Sequence, residues 1–173
     1  GEDFLKALMT ICPISIEKTV PNAEMRQSNM YFSSSDAAFL GRADVAENFH
    51  KLKDGSINVK GGWRLYSSGP GLYFGLVIRQ FFGLRETKDA WIFDPVLAVE
   101  LNGIVLNWEL CGHSVQIEYQ ISKNCSGPEL VECAGQSLSA ERESNPYRTG
   151  GLIVQKEDLE AALVSDSYLT VYL

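Results

Sequence analysis

The stretch IVLNWELCGHSVQIEYQI, Ile104 to Ile121, decides the fold class. Apolar and polar residues alternate through Ile104–Leu110 and again through Val115–Ile121, the two-residue period of a strand with one buried face. Cys111-Gly112-His113 between them carries turn chemistry, so the pair predicts an antiparallel hairpin. Working outward, Trp91-Ile92-Phe93 reads as a short strand closed by Asp94-Pro95, while Leu130-Val131-Glu132 and Gly151–Val154 read as weaker strands. A short helix is expected over Lys156–Leu163, then a last strand in YLTVYL, Tyr168–Leu173. Short strands separated by turn signals predict an antiparallel β-sandwich.

Upstream of about Lys88 the period changes. Phe4, Leu5, Leu8 and Met9 repeat at helical spacing until Pro13 ends the element. The stretch from Ile14 to Asn29 is polar and irregular, long enough for a functional connection. Ser35 or Asp36 is placed to cap a second helix with Ala37, Ala38, Leu40, Val45, Ala46 and Phe49 as its apolar side, ended by Lys53-Asp54-Gly55. The expected organisation is α+β: a helical segment over 1–86, then a β-sandwich over 87–173.

Between the two lies GGWRLYSSGPGLYFGLVIRQFFGL, Gly61 to Leu84. From Pro70 to Leu84 only Arg79 and Gln80 are clearly polar. A helix apolar nearly all round needs neighbours on every side, which predicts a larger helical body upstream. The chain begins at Gly1 rather than Met, and GEDFLKALMTICPI reads as the tail of a helix already under way; a piece of a longer polypeptide is expected. At the helix start, Pro70 suits the first turn and Ser68 or Gly69 the cap. Free backbone N–H groups, the helix dipole and two hydroxyls can hold a phosphate. They also describe a serine-capped buried helix with no ligand, and the residues alone leave both readings open.

Composition narrows the classes. Apolar residues make up 45% and charged residues 21% of the 173, a globular balance. Acidic residues outnumber basic ones by 22 to 15, for a net charge of −7, so no nucleic-acid partner is expected. No signal peptide is visible, nor an apolar run of about 18 residues; the expectation is no membrane partner and a cytoplasmic location. None of the four cysteines, Cys12, Cys111, Cys125 and Cys133, forms a CxxC pair, and His50 and His113 do not bracket them at zinc spacing. Reduced, buried thiols and no metal are expected, with a Cys125–Cys133 bridge as the competing reading.

Other side chains give weaker signals. Ser33-Ser34-Ser35-Asp36 is a cap or a hydroxyl-lined loop. No Ser–His–Asp set is plausible: His50 falls in a helix and His113 in a turn. Asp94, before Pro95, reads as a turn former rather than a general acid. Trp63, Trp91 and Trp108 are the residues able to stack on a sugar, with core packing favoured for the last two. NPYRTGG, Asn145 to Gly151, has the makings of a rigid turn.

The order of GGWRLYSSGPGLYFGLVIRQFFGLRE, WIFDPVL, an LNG-containing hairpin, NPYRTGG and a final apolar strand resembles the C-terminal end of glycoside hydrolase family 94. QSNMYFSSSDAAF, Gln27 to Phe39, resembles the β-1,2-glucan-type members, and the likeness runs from about Ala23 to the end. That family contains inverting phosphorylases acting on cellobiose and β-1,2-glucans, and the terminal domain of cyclic β-1,2-glucan synthase. The resemblance implies that the helices are the last of an (α/α)6 barrel and that the β half is a jelly-roll-like domain. It implies a phosphate loop at Ser67, Ser68 and Gly69. Ser68 stands where the family usually has glycine, and a one-residue shift onto Ser68-Gly69 restores the pattern. Trp63 and Arg64 are expected at the substrate.

Inorganic phosphate would be the co-substrate, with no other cofactor, and an oligosaccharide or sugar phosphate the ligand. The family's general acid, and an arginine and a histidine that help hold phosphate, have no matching positions here. No catalytic residue is therefore assigned, and the chain is expected to be inert without the remainder of its parent enzyme. Uncovered, its helical half would drive self-association into a homo-oligomer. A non-catalytic carbohydrate-binding or structural β-sandwich module is the alternative.

Overall fold

The computed structural model describes residues 1–10, 12, 37–52, 54–58, 71–123 and 125–173. Helix α1 (Glu2–Thr10) opens the chain. Packing separates two compact units, one of Ala7–Gly75 and one of Leu76–Leu173 with Gly1–Lys6.

In the first unit, α2 (Arg42–Asn48) runs into a 3₁₀ turn, Phe49–Leu52. The helix begins later than the sequence suggests. Ala37 and Ala38 precede it, Ala38 donating its N–H to Asn58 O at 3.0 Å, and Ser35 and Asp36 lie outside the described residues. The acid near the helix start is Asp44, which accepts the Leu40 N–H at 2.9 Å and the Asn48 amide at 2.7 Å. No residue of α2 is buried.

The apolar helix after Pro70 is shorter than expected. It comprises α3 (Leu72–Leu76), continued by a π-helical turn over Val77–Phe81. Leu72 is 64% exposed and Phe74 59%, so the element is not enclosed. The helix stops because Gly83 turns the backbone to a φ of +68°, where a side chain is strained. Leu84, expected to finish the helix, instead opens β1 (Leu84–Glu86).

The second unit is built on two sheets. Strands β1, β2 (Ala90–Phe93), β7 (Glu141–Arg142) and β8 (Leu152–Gln155) form one, in the order β1-β2-β8-β7 and wholly antiparallel. Strands β3 (Ile104–Leu110), β4 (His113–Gln120), β5 (Leu130–Cys133), β6 (Gln136–Ser137) and β9 (Tyr168–Tyr172) form the other, in the order β3-β4-β9-β5-β6. The hairpin is as expected, with Leu110 opposite His113; Cys111 and Gly112 both have positive φ, 51° and 77°, as a two-residue type I′ turn demands. One pairing departs from the all-antiparallel expectation: β9 lies parallel to β4, Gln116 opposite Tyr168, and antiparallel to β5. The arrangement is α+β with two antiparallel-rich sheets, consistent with a β-sandwich.

Alternation sorts the side chains of the larger sheet. Val115, Ile117, Tyr119, Val131, Leu169 and Val171 are buried, while Asn107, Glu109, Ser114 and Gln116 are exposed on the other face. Each large apolar side chain buried in full contributes about 1.5–3 kcal/mol. The helix end is tied to this core by Tyr119, whose hydroxyl donates to Phe82 O at 2.9 Å and whose ring lies 5.7 Å from that of Phe82. Burial pushes the Tyr119 phenol far above its ordinary range. Helix α4 (Lys156–Leu163) buries Leu159 and Leu163. All four cysteines are free thiols in the structure, Cys12 and Cys133 buried and Cys111 and Cys125 half-buried. Among the described residues no helix is long and apolar enough to cross a membrane.

Candidate functional site

Three of the sequence motifs singled out above, GLR, WIFDPVL and NPYRTGG, come together at one end of the smaller sheet. Asp94 follows β2 directly. Its N–H donates to Gly83 O at 2.9 Å, and two residues on the Val96 N–H donates to Gln80 O and Phe81 O at 3.2 and 3.1 Å. Those carbonyls end the π-helical turn and would otherwise lack partners. The fit leaves no room for a side chain at Gly83, where a Cβ would stand 2.1 Å from Pro95 N. Gly151 is equally constrained, its position for a Cβ lying 2.7 Å from the Asp94 Cβ.

The charges at this junction are paired throughout. Arg148 donates from Nη2 to Asp94 Oδ1 at 2.7 Å, and Arg85 from Nη2 to Asp94 Oδ2 at 3.2 Å. Arg85 also reaches the Glu143 carboxylate with both terminal nitrogens, 3.1 Å for Nη1. Arg148 further donates to the backbone carbonyls of Asp94 and Thr149, each at 3.2 Å. The Asp94 side chain is 11% exposed and those of Arg85 and Arg148 24% and 27%, so the cluster is screened only in part. Burial pushes the Asp94 carboxyl above its ordinary value, and the guanidiniums of Arg148 and Arg85 pull against that. The hydrogen bond that Arg85 donates to Glu143 leads in holding its guanidinium even more firmly charged. Each carboxylate oxygen of Asp94 is held by one guanidinium. The cluster is a clamp joining β1, the end of β2 and the Asn145–Gly151 turn, not a general acid.

A recess of about 260 Å³ borders the clamp, lined by Pro95, Val96, Cys125, Ser126, Arg148 and Leu173 among others. Among the described residues no group of His, Cys, Asp and Glu is arranged to hold a metal ion. His50 is exposed in the 3₁₀ turn; His113 is half-buried and is the first residue of β4 rather than a turn residue. The anticipated phosphate loop, Ser67, Ser68 and Gly69, lies outside the described residues, as do Trp63, Arg64 and Ser33–Ser35. Of the tryptophans expected in the core, Trp91 is buried at 6% exposure, whereas Trp108 is only partly covered. The arginine–carboxylate clamp was not foreseen as a unit. Its signal was the placing of Arg85, Asp94 and Arg148 beside the glycines and proline of motifs already noted.

A two-sheet domain braced by such a clamp after an apolar helix defines a class that family comparison makes definite. Residues 83–172 match the family described as glycoside phosphorylase C-terminal domain, and the chain belongs to it. Among individual proteins, it is 46% identical over 152 residues to a 1,2-beta-oligoglucan phosphorylase of Listeria innocua serovar 6a. That match takes in 88% of this chain but 14% of the relative, so the chain spans about a seventh of the relative's length.

Proposed function

We propose that this chain is the C-terminal part of an inverting glycoside phosphorylase acting on β-linked gluco-oligosaccharides. It supplies a phosphate-binding loop at Ser67, Ser68 and Gly69 together with a structural β domain. Inorganic phosphate is the co-substrate, and Trp63 and Arg64 lie at the sugar. The observation that carries the reading is the 46% identity to a 1,2-beta-oligoglucan phosphorylase, over a match long enough to include the loop. The 64% exposure of Leu72 adds support, because an apolar helical side chain at the surface is suited to neighbours from a helical body.

The clamp around Asp94 fits a structural role for the β domain, since its acid is fully engaged. The general acid then comes from the remainder of the parent enzyme. Inversion requires protonation of the departing oxygen on one face while the nucleophile attacks from the other, and the loop's part is to position phosphate for that attack.

The test is phosphate-dependent release of a sugar 1-phosphate from β-1,2-gluco-oligosaccharide by the longer parent chain. Replacing Ser67→Ala and Ser68→Ala together should lower kcat/KM by about 100-fold or more, the scale set by removing preorganised donors from a developing charge. The 173 residues alone should release none. Unchanged turnover in the double variant would remove the loop from the mechanism.

A further inference from the structure

We propose that β3 is a self-pairing edge: two copies of this chain join by laying their β3 strands side by side, antiparallel and centred on Asn107. Strand β3 ends the larger sheet and has β4 as its one neighbour in it. The β3–β4 hairpin turns on two residues, so Leu110 and His113 exchange both backbone hydrogen bonds. Along the ladder that exchange recurs at every second pair: Trp108 with Val115, Leu106 with Ile117, Ile104 with Tyr119. The N–H and C=O groups of Val105, Asn107 and Glu109 therefore point away from β4. Among the described residues they have no other backbone partner.

This edge is also unprotected. It is seven residues long, IVLNWEL, and holds neither the proline nor the lysine that commonly blocks an exposed strand. The other edge strands are short, β6 and β7 of two residues each and β1 of three. Burial shows where cover runs out. On the face turned to the core, Val115, Ile117 and Tyr119 of β4 are closed off from water, whereas their partners Trp108, Leu106 and Ile104 are half-buried. A recess of about 290 Å³ opens there, shared by Trp108 with Leu84 and Glu86 of β1.

A second copy suits this edge because β3 complements itself. Centring on Asn107 sets that residue opposite its own counterpart, Val105 opposite Glu109 and Leu106 opposite Trp108. The outward N–H and C=O groups are then all matched, and the half-buried side chains of the two strands cover one another. Glu109 is the one charged side chain on β3 and meets Val105, so no like charges are opposed. The twofold axis consumes the edge of both copies, and β6 at the far side of the sheet is too short to extend it. The product is a closed dimer with one continuous sheet. Nothing in this reading depends on the phosphorylase function proposed above.

The experiment is sedimentation velocity of the 173-residue chain over a micromolar concentration series, which should show passage from monomer to dimer. Asn107→Pro removes an N–H that the β4 ladder does not use and sets a ring in the path of the incoming strand. It should keep the denaturant midpoint of the monomer and weaken the dimer about tenfold or more. The register is read at Val105, a test that does not require the fold to accept proline. Val105→Glu faces Glu109 of the other copy and should weaken the dimer about threefold or more, while Val105→Lys should leave it as tight or tighter. A chain that stays monomeric, the result if this edge belongs to the remainder of a longer parent, overturns the proposal. So does a dimer that Asn107→Pro and Val105→Glu leave unchanged, the result if copies associate through the exposed apolar residues around α2.

Discussion

Phe93, Ile117, Tyr119, Leu159 and Val171 are closed off from water in the unit of Leu76–Leu173 with Gly1–Lys6, whereas in the other unit α2 buries nothing and its flanking residues Phe49 and Leu40 are 50% and 98% exposed. Apolar content alone does not explain this, because both regions carry apolar residues at regular spacing. In the β unit the alternation of two is matched by paired strands that bring every inward residue to one face. In α2 the apolar side chains project from a helix of two turns, too short to be stable without something to pack on. Among the described residues, the β unit closes its core from its own strands, and the residues around α2 leave Leu40 and Phe49 at the surface.

The contrast is most exposed to attack at the buried centre. Phe93→Ala should cost about 3–5 kcal/mol, seen as a fall in the denaturant midpoint, while Phe49→Ala should stay within about 0.5 kcal/mol. Equal losses at the two positions would break the comparison. Next in size is the clamp. Asp94→Ala leaves two partly buried guanidiniums without their shared acceptor and should cost about 2–4 kcal/mol by the same measurement; a near-neutral result would show that the motifs meet there without bracing anything.

The smallest effect sharpens the distinction between the sheet's buried and outer faces. Tyr168 donates its hydroxyl to Glu118 and Tyr172 donates to Glu132, and these hydrogen bonds are the main reason that both phenols sit above the ordinary value of 10.0. A phenol whose folded pKa is raised favours the fold while protonated. That stability is complete below the unfolded value and is lost as pH climbs through the folded one. Absorbance titration at alkaline pH should show Glu118→Gln shifting the Tyr168 step back toward the ordinary value, and the Tyr172 step less, since Glu118 raises both. A titration curve that does not move would mean that the Tyr168–Glu118 bond does not form in solution.

Much of the β unit was legible because its signals are local. Trp91-Ile92-Phe93, the Ile104–Ile121 region, Lys156–Leu163 and the last strand are continuous patterns bounded by turn residues. Strand β1 was not legible, since three residues after an apolar helix are too few to reveal a period of two. Strands β6 and β7, two residues each, fail for the same reason. The parallel β4–β9 pair joins residues about fifty positions apart, and nothing in either strand encodes which neighbour it takes. The clamp was half visible: its glycines, proline and charges stood out singly, but Asp94 and Arg148 are 54 residues apart and only the fold shows that they meet. The start of α2 differs from the expectation at Ser35 or Asp36 because the helix is capped at Gly41, which has no side chain to announce it.

Strand β9 sits between β4 and β5, yet it is the last strand in chain order. As the polypeptide leaves the ribosome, the other four members of that sheet must therefore wait with a gap in their middle until Tyr168–Tyr172 emerges. Such late, distant closure favours slow maturation and leaves unpaired edges open to wrong partners meanwhile. Shielding by the nascent chain's upstream portion, or by a chaperone, would matter most during that interval.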